Sequence, residues 1–347
     1  MRVSIGIFAH NEQGRIGRLL ESLAEQDLLR ISADRGDFLE IITLANGCRD
    51  ATVQEADTAS GFLRRAHPSI AARAEVIEES GKSNAWNTYV HRFSDPLADF
   101  LIFMDADITL VGESTLRLLI DVLVENAKAA VSVDVILKDI SFKHRQSLID
   151  RLSLAATKLN QSGPAKLAGS LYCGRAPILR GIWMPIGLLV EDGFLKAMVL
   201  TQNFTKGENL AALIQVQGAA HTFEAVTNPR SIFKHEVRLL VGTWMNIVLF
   251  GHLRRVVSST ETTAGALIQA WNKENSDWFP CILRTCGGNL EFLRFAYNVL
   301  SLPIRQALRA NLPHCLIKLP VALFRCAFTG AALVSATRLI RKRVYQW

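Results

Sequence analysis

No leader peptide is expected at the start of the sequence. Met1 runs straight into the alternation of Val3, Ile5 and Ile7, without a charged segment, an apolar segment and a small-residue cleavage site in that order, so the N-terminus is expected to stay in the cytosol. Cysteine is sparse: Cys48, Cys173, Cys281, Cys286, Cys315 and Cys326 are scattered without a metal-ligand pattern and are expected to be reduced. Cys281 and Cys286 form a C-x4-C pair, but no second pair or histidine set accompanies them, which leaves zinc unsupported. No repeat and no low-complexity tract interrupts a chain that is 49% hydrophobic and 20% charged, which excludes solenoids and disorder. Phosphate loops of the common kinds are missing too. Val76 stands where a Walker A loop ending at Gly81-Lys82-Ser83 needs glycine, and no G-x-G-x-x-G follows the first apolar run. Nor does either apolar run toward the C-terminus reach the roughly 20 residues of a spanning helix. Leu239–Leu253 has 15 residues without Asp, Glu, Lys or Arg, and Cys326–Thr337 has 12.

Acidic residues are absent after Glu291, while nine cations follow it: Arg294, Arg305, Arg309, Lys318, Arg325, Arg338, Arg341, Lys342 and Arg343. Removing those nine from the net charge of +7 leaves about −2 for the rest, so the basic balance belongs to the tail.

The first half alternates short apolar runs with amphipathic stretches, the pattern of βαβ units around a parallel sheet. Strands are expected at Val3–Ala9, Leu39–Leu44, Ala74–Glu78, Asp99–Asp105, Ala129–Leu137 and Leu213–Phe223. Helices are expected near Gly14–Glu25, Thr52–Arg65, Ser83–Phe93 and Glu113–Lys128, from about Glu191, and over a long stretch from Ser231. Asp139–Gly163 reads as a polar, helix-prone excursion. The boundary is placed after residue 230, giving a catalytic α/β region 1–230 and a basic, apolar-rich helical region 231–347.

In an open α/β sheet, ligands sit beyond the carboxyl ends of the strands. Here those ends read His10-Asn11-Glu12, Asn46-Gly47-Cys48-Arg49-Asp50, Ser80-Gly81-Lys82 and Asp105-Ala106-Asp107, four polar loops expected to converge. Asp105 and Asp107 end the most apolar run, and a carboxylate pair of this kind suits a hard cation, Mg²⁺ or Mn²⁺, bridging to a diphosphate. Glu191-Asp192 opens a helical stretch and offers carboxylates for general-base work; acids favoured by the helix dipole give the same pattern. His10 is a candidate to stack on a nucleobase, and His221 to complete the metal shell.

In order along the chain, these residues resemble family 2 glycosyltransferases of the GT-A fold, over roughly residues 1–242. Phe8-Ala9-His10-Asn11-Glu12 resembles the family's P-A-[YH]-N-E loop, and Asn46-Gly47-Cys48-Arg49-Asp50 its [DN]-G-[SC]-x-D loop. Gly81-Lys82-Ser83-Asn84-Ala85-Trp86-Asn87 is similar to G-K-x-x-A-x-N, Asp105-Ala106-Asp107 to the metal motif, and Val190-Glu191-Asp192 to the E-D motif. The resemblance implies a GT-A fold, a Rossmann-like mixed and mostly parallel sheet flanked by helices, with a C-terminal helical extension. It implies nucleotide-sugar binding by Ala9, His10, Asn11, Glu12, Asn46, Lys82, Asp105 and Arg238, metal binding by Asp107 with Asp105, and catalysis by Asp192, the base, with Glu191. The family's Q-x-x-R-W helix is only partly matched, by Lys234, Arg238 and Gly242, and Phe8 replaces the usual proline. Asn46, where many members carry Asp, fits uridine or guanosine, so the donor is expected to be a UDP- or GDP-sugar. The implied reaction inverts the anomeric centre. Against a non-catalytic nucleotide-sugar-binding subunit of a polysaccharide assembly complex stand the intact Asp105, Asp107 and Asp192; against a nucleotidyltransferase stands the absence of a glycine-rich first loop.

The tail reads either as an amphipathic basic surface for anionic lipid or as helices packed on the catalytic part with a wet basic stripe. The first reading implies a lipid-linked or polysaccharide acceptor and a peripheral position on the inner face of the cell membrane. Nucleic acid is not an expected partner, because no recognisable module accompanies the charge.

Overall fold

Along the first strand, β1 (Arg2–Ala9), Val3, Ile5 and Ile7 are fully buried toward one core, while Ser4, Gly6 and Phe8 face the other side, the period of two that a pleated strand imposes. Each such aliphatic side chain contributes roughly 2 kcal/mol through burial. The computed structural model describes residues 1–138, 165–223, 228–275, 277–308 and 312–342, so the excursion expected at Asp139–Gly163 lies outside the described residues.

After β1 come α1 (Ile16–Ala24), α2 (Asp27–Arg35), β2 (Phe38–Asn46), α3 (Thr52–Ala66), β3 (Ala71–Ile77) and α4 (Lys82–Thr88). Next are β4 (Phe100–Asp105), β5 (Ile108–Val111), α5 (Thr115–Glu125), β6 (Val131–Lys138), β7 (Leu171–Arg175) and α6 (Ala176–Leu179). The chain continues through α7 (Glu191–Leu200), β8 (Leu213–Phe223), α8 (Pro229–Ser259), α9 (Ala264–Glu274), α10 (Trp278–Cys286), α11 (Asn289–Leu308) and α12 (Leu312–Lys342). The strands form one sheet in the order β3-β2-β1-β4-β7-β6-β8-β5. β1 to β4 pair in parallel, as do β6 and β8, while β7 runs antiparallel to β4 and β6, and β5 antiparallel to β8. This is the mixed, mostly parallel GT-A sheet that the sequence led one to expect. β5, β7 and α2 were not foreseen.

Helices cover both faces. One core gathers Ile16, Leu19, Leu23, Leu63, Leu116, Leu119 and Leu123 of α1, α3 and α5 against Val3, Ile5, Ile7, Ile102 and Met104. The other runs without a break from Leu44, Trp86 and Phe103 through Phe194 and Met198 to Val241, Trp244, Leu249, Phe279, Phe295 and Leu333. The C-terminal helices therefore share a core with the catalytic face of the sheet. α12 also revises the count of apolar residues: its stretch Leu319–Ile340, 22 residues with mean hydropathy 1.6, is long and apolar enough by length and composition to cross a membrane. The sequence reading stopped at Arg325 and Arg338, which this helix carries within it.

Candidate active site

The β1 end is built by hydrogen bonds into a rigid loop. Asn11 takes a positive φ of 57°, its side-chain oxygen accepts from the Arg49 amide at 2.8 Å, and the Glu12 amide donates to Thr52 Oγ1 at 2.8 Å. Asp50 locks the facing loop, accepting from Thr52 Oγ1 at 2.6 Å and from the Gln13 amide at 3.2 Å. His10 Nδ1 lies 2.6 Å from the Asn46 carbonyl and its Nε2 lies 3.2 Å from Asn11 Nδ2, which orients an exposed ring beside the strand ends. Buried Asn46 has its side-chain oxygen without a hydrogen-bond partner among the described residues. Gly47, at φ +59°, passes so close to Ser80 that a Cβ would sit 2.6 Å from Ser80 Cβ; this contact joins the second and third loops.

Lys82 opens α4 and joins the third loop to the two acidic motifs. Its Nζ lies 2.7 Å from Asp105 Oδ1, 3.2 Å from Glu191 Oε1 and 3.2 Å from the Gly169 carbonyl. Burial works against this ammonium, but Asp105 and Glu191 outweigh it and hold it above the ordinary lysine range. Burial pushes the Asp105 carboxyl up against the pull of Lys82, and Asp107 and Glu191 add to the rise. Glu12 is raised as well, by burial and then by Asp107. Glu12 is paired with Arg15 at 3.2 Å and Asp105 with Lys82, so two of the acids at these strand ends already have a cation of the chain beside them. Among the described residues no group of three or more His, Cys, Asp or Glu side chains gathers for a metal. The pair Asp105 and Asp107 fits a hard cation that takes its remaining ligands from phosphate and water.

Glu191 and Asp192 both line the opening: Glu191 is buried and paired with Lys82, whereas Asp192 Oδ1 accepts from the Gly193 amide at 2.7 Å. Burial, then Glu191, raises the Asp192 carboxyl above the ordinary aspartate range; Lys82 and Arg238 oppose that rise. Arg238 donates from Nε and Nη2 to the Leu189 carbonyl at 3.3 and 3.1 Å, one peptide away from the E-D pair.

A narrow opening is bounded by Lys82, Gly169, Glu191 and Asp192 above an aromatic floor. In that floor Phe103 stacks on Phe8, Trp86 and Tyr172 at 5.9, 5.7 and 4.4 Å, and Trp86 Nε1 donates to Tyr172 Oη at 2.7 Å. Phe8, where the family has proline, is part of this stack. Sequence reasoning missed Gly169, whose Cβ would lie 3.0 Å from Glu191 Oε1 and 3.2 Å from Lys82 Nζ. Nothing in the sequence marks it, because its neighbours are far away along the chain.

His221 is fully buried in β8 with Nδ1 2.6 Å from Asp134 Oδ2, and its Nε2 has no hydrogen-bond partner among the described residues. Cys281 and Cys286 are free thiols on α10.

The model of glycosyl transferase family 2 matches residues 4–182. Among solved structures, glucosyl-3-phosphoglycerate synthase from Mycobacterium tuberculosis, in complex with Mn²⁺, UDP-glucose and phosphoglyceric acid, is 19% identical over 71% of this chain and 77% of its own, with a TM-score of 0.43. S. aureus TarS 1-349 is 14% identical over 99% of this chain and 90% of its own, with a TM-score of 0.45. No curated protein matches the chain. With the family's motifs gathered at the carboxyl ends of a GT-A sheet and the family model covering more than half its length, the chain belongs to glycosyl transferase family 2 and is a nucleotide-sugar-dependent glycosyltransferase.

Proposed function

We propose that this enzyme transfers a sugar from a UDP- or GDP-sugar to an acceptor hydroxyl in one inverting displacement, with Asp192 as general base. The observation that carries the reading is the Lys82 ammonium bridging Asp105 and Glu191, which draws the end of β4 and the start of α7 to a single point. Asp192 takes the acceptor's hydroxyl proton, the acceptor oxygen bonds to the anomeric carbon, and the bond from that carbon to the phosphate oxygen breaks, releasing the nucleoside diphosphate. Asp107 and Asp105 would hold Mg²⁺ or Mn²⁺, which would supply charge neutralisation for the departing diphosphate. Ala9, His10, Asn11, Glu12 and Asn46 form the nucleoside side of the site, where the unpartnered Asn46 oxygen suits a base N–H.

Asp107→Ala is expected to abolish the Mn²⁺-dependent rise in melting temperature caused by the nucleotide-sugar, because a ligand stabilises only the state it binds. Asp192→Asn is expected to keep that rise and to lose transfer by about 10²–10⁴-fold, the usual worth of a general base. Transfer at the wild-type rate by Asp192→Asn would remove the base assignment.

We further place residues 231–347 as a helical region at the inner face of the membrane, meeting a lipid-linked or polysaccharide acceptor there. Support comes from the nine cations after Glu291 and from the apolar side chains that α11 and α12 leave outward, Leu293, Tyr297, Val321 and Phe324 among them.

A further inference from the structure

α8 presents three residues at a spacing of four, Arg238, Gly242 and Asn246, to the two peptides that precede the E-D pair. Arg238 donates twice to the Leu189 carbonyl, and Asn246 Nδ2 donates to the Val190 carbonyl at 2.9 Å. Between them Gly242 lies against Val190: a Cβ there would overlap the Val190 side chain, 2.9 Å from its Cβ and 3.1 Å from its backbone nitrogen. Gly193, whose amide holds Asp192 Oδ1, faces the same Asn246 amide; a Cβ on it would lie 3.2 Å from Nδ2. Val190 caps α7 with no side-chain hydrogen bond of its own, so the geometry of the first turn is set from outside the helix. α8 is itself fixed from behind, by Thr329 Oγ1 donating to Glu236 Oε1 at 2.9 Å and by Phe292 packed edge-on to Trp244.

We propose that Arg238, Gly242 and Asn246 form a positioning grip: α8 aims the Asp192 carboxylate by holding Leu189 and Val190, and Arg238 acts on that loop and not on the donor diphosphate. The inference rests on Asp192 as the base. Glycine is required at 242 because the helix backbone must approach Val190 more closely than any side chain permits. An amide is required at 246 because the Val190 carbonyl and the first turn of α7 are both within its reach.

The test uses the full-length chain, with hydrogen exchange across residues 189–195 and turnover of UDP-glucose and GDP-mannose with Mn²⁺ as readouts. Gly242→Ala and Asn246→Leu are expected to speed exchange in that segment about tenfold and to lower kcat about 10–100-fold, the cost of displacing a reacting group by an ångström, with KM for the donor unchanged. Adding Val190→Ala to Gly242→Ala removes the Val190 methyl group closest to the new side chain but leaves Cβ and the backbone nitrogen of residue 190 in place, and is expected to recover part of both. The grip is overturned if both single variants leave exchange across 189–195 unchanged, or if Val190→Ala gives no recovery. Failure of the base assignment looks different: Asp192→Asn would transfer normally while the exchange changes at 242 and 246 persist.

Discussion

Asp192 is held above the ordinary aspartate range by burial and by Glu191, and the sign of its consequence can be worked out. A raised carboxyl stays protonated to higher pH, and only the carboxylate accepts a proton, so kcat is expected to fall as pH drops through a value above the ordinary aspartate range. The same shift makes ionised Asp192 a burden on the fold: its cost is present above the raised value and vanishes below the unfolded one. Asp192→Asn is therefore expected to melt no lower than the wild type at neutral pH while losing transfer. A clear drop in melting temperature would instead make Asp192 a structural residue. That Asp105 ends a buried strand and that Glu191 and Asp192 open a helix was legible in the sequence. That Lys82 is shared between Asp105 and Glu191, and that Gly169 must be small to let them meet, was not, because both facts depend on atoms contributed by segments tens of residues apart.

At the level of elements, the loops after β1 and β2 are legible where turn chemistry and motif coincide. Gly47 is the clearest case, combining a left-handed backbone with contact to Ser80 of the next loop. Gly47→Ala combines strain at positive φ with displacement of Ser80. It is expected to destabilise the protein by about 1–3 kcal/mol and to weaken nucleotide binding. Thermal unfolding with and without UDP checks this, and an unchanged melting temperature would contradict the contact. The elements that escaped notice are short or locally ambiguous. β5 has four residues, too few for a periodicity to register, and forms because Ile108–Val111 finds β8 as an antiparallel partner. α2 follows α1 after a two-residue break, and its end is set by Gly36 at φ +68°.

On the scale of the whole molecule, the choice between a lipid-facing tail and helices packed on the catalytic part is not exclusive. Ala332, Leu333 and Ala336 of α12 are buried, whereas Phe324 on the same helix is 75% exposed and Val321 64%. The full chain is expected to pellet with vesicles containing anionic lipid and to be released by salt, since attraction to the headgroups is screened within about 10 Å at 0.1 M. Val321→Asp with Phe324→Asp is expected to reduce pelleting without lowering the melting temperature, as both residues face outward; equal pelleting by this variant would remove α12 from the contact. The sequence by itself determined the long strands and helices of the first half, the polar strand ends and the positions of the acidic motifs, because these depend on local periodicity and on residue types at fixed spacing. Only the tertiary structure decided which of those groups touch. It turned His221 inward to Asp134, gave Lys82 two carboxylates, and set α8 against Val190, since each of these contacts is fixed by the packing of residues distant in sequence.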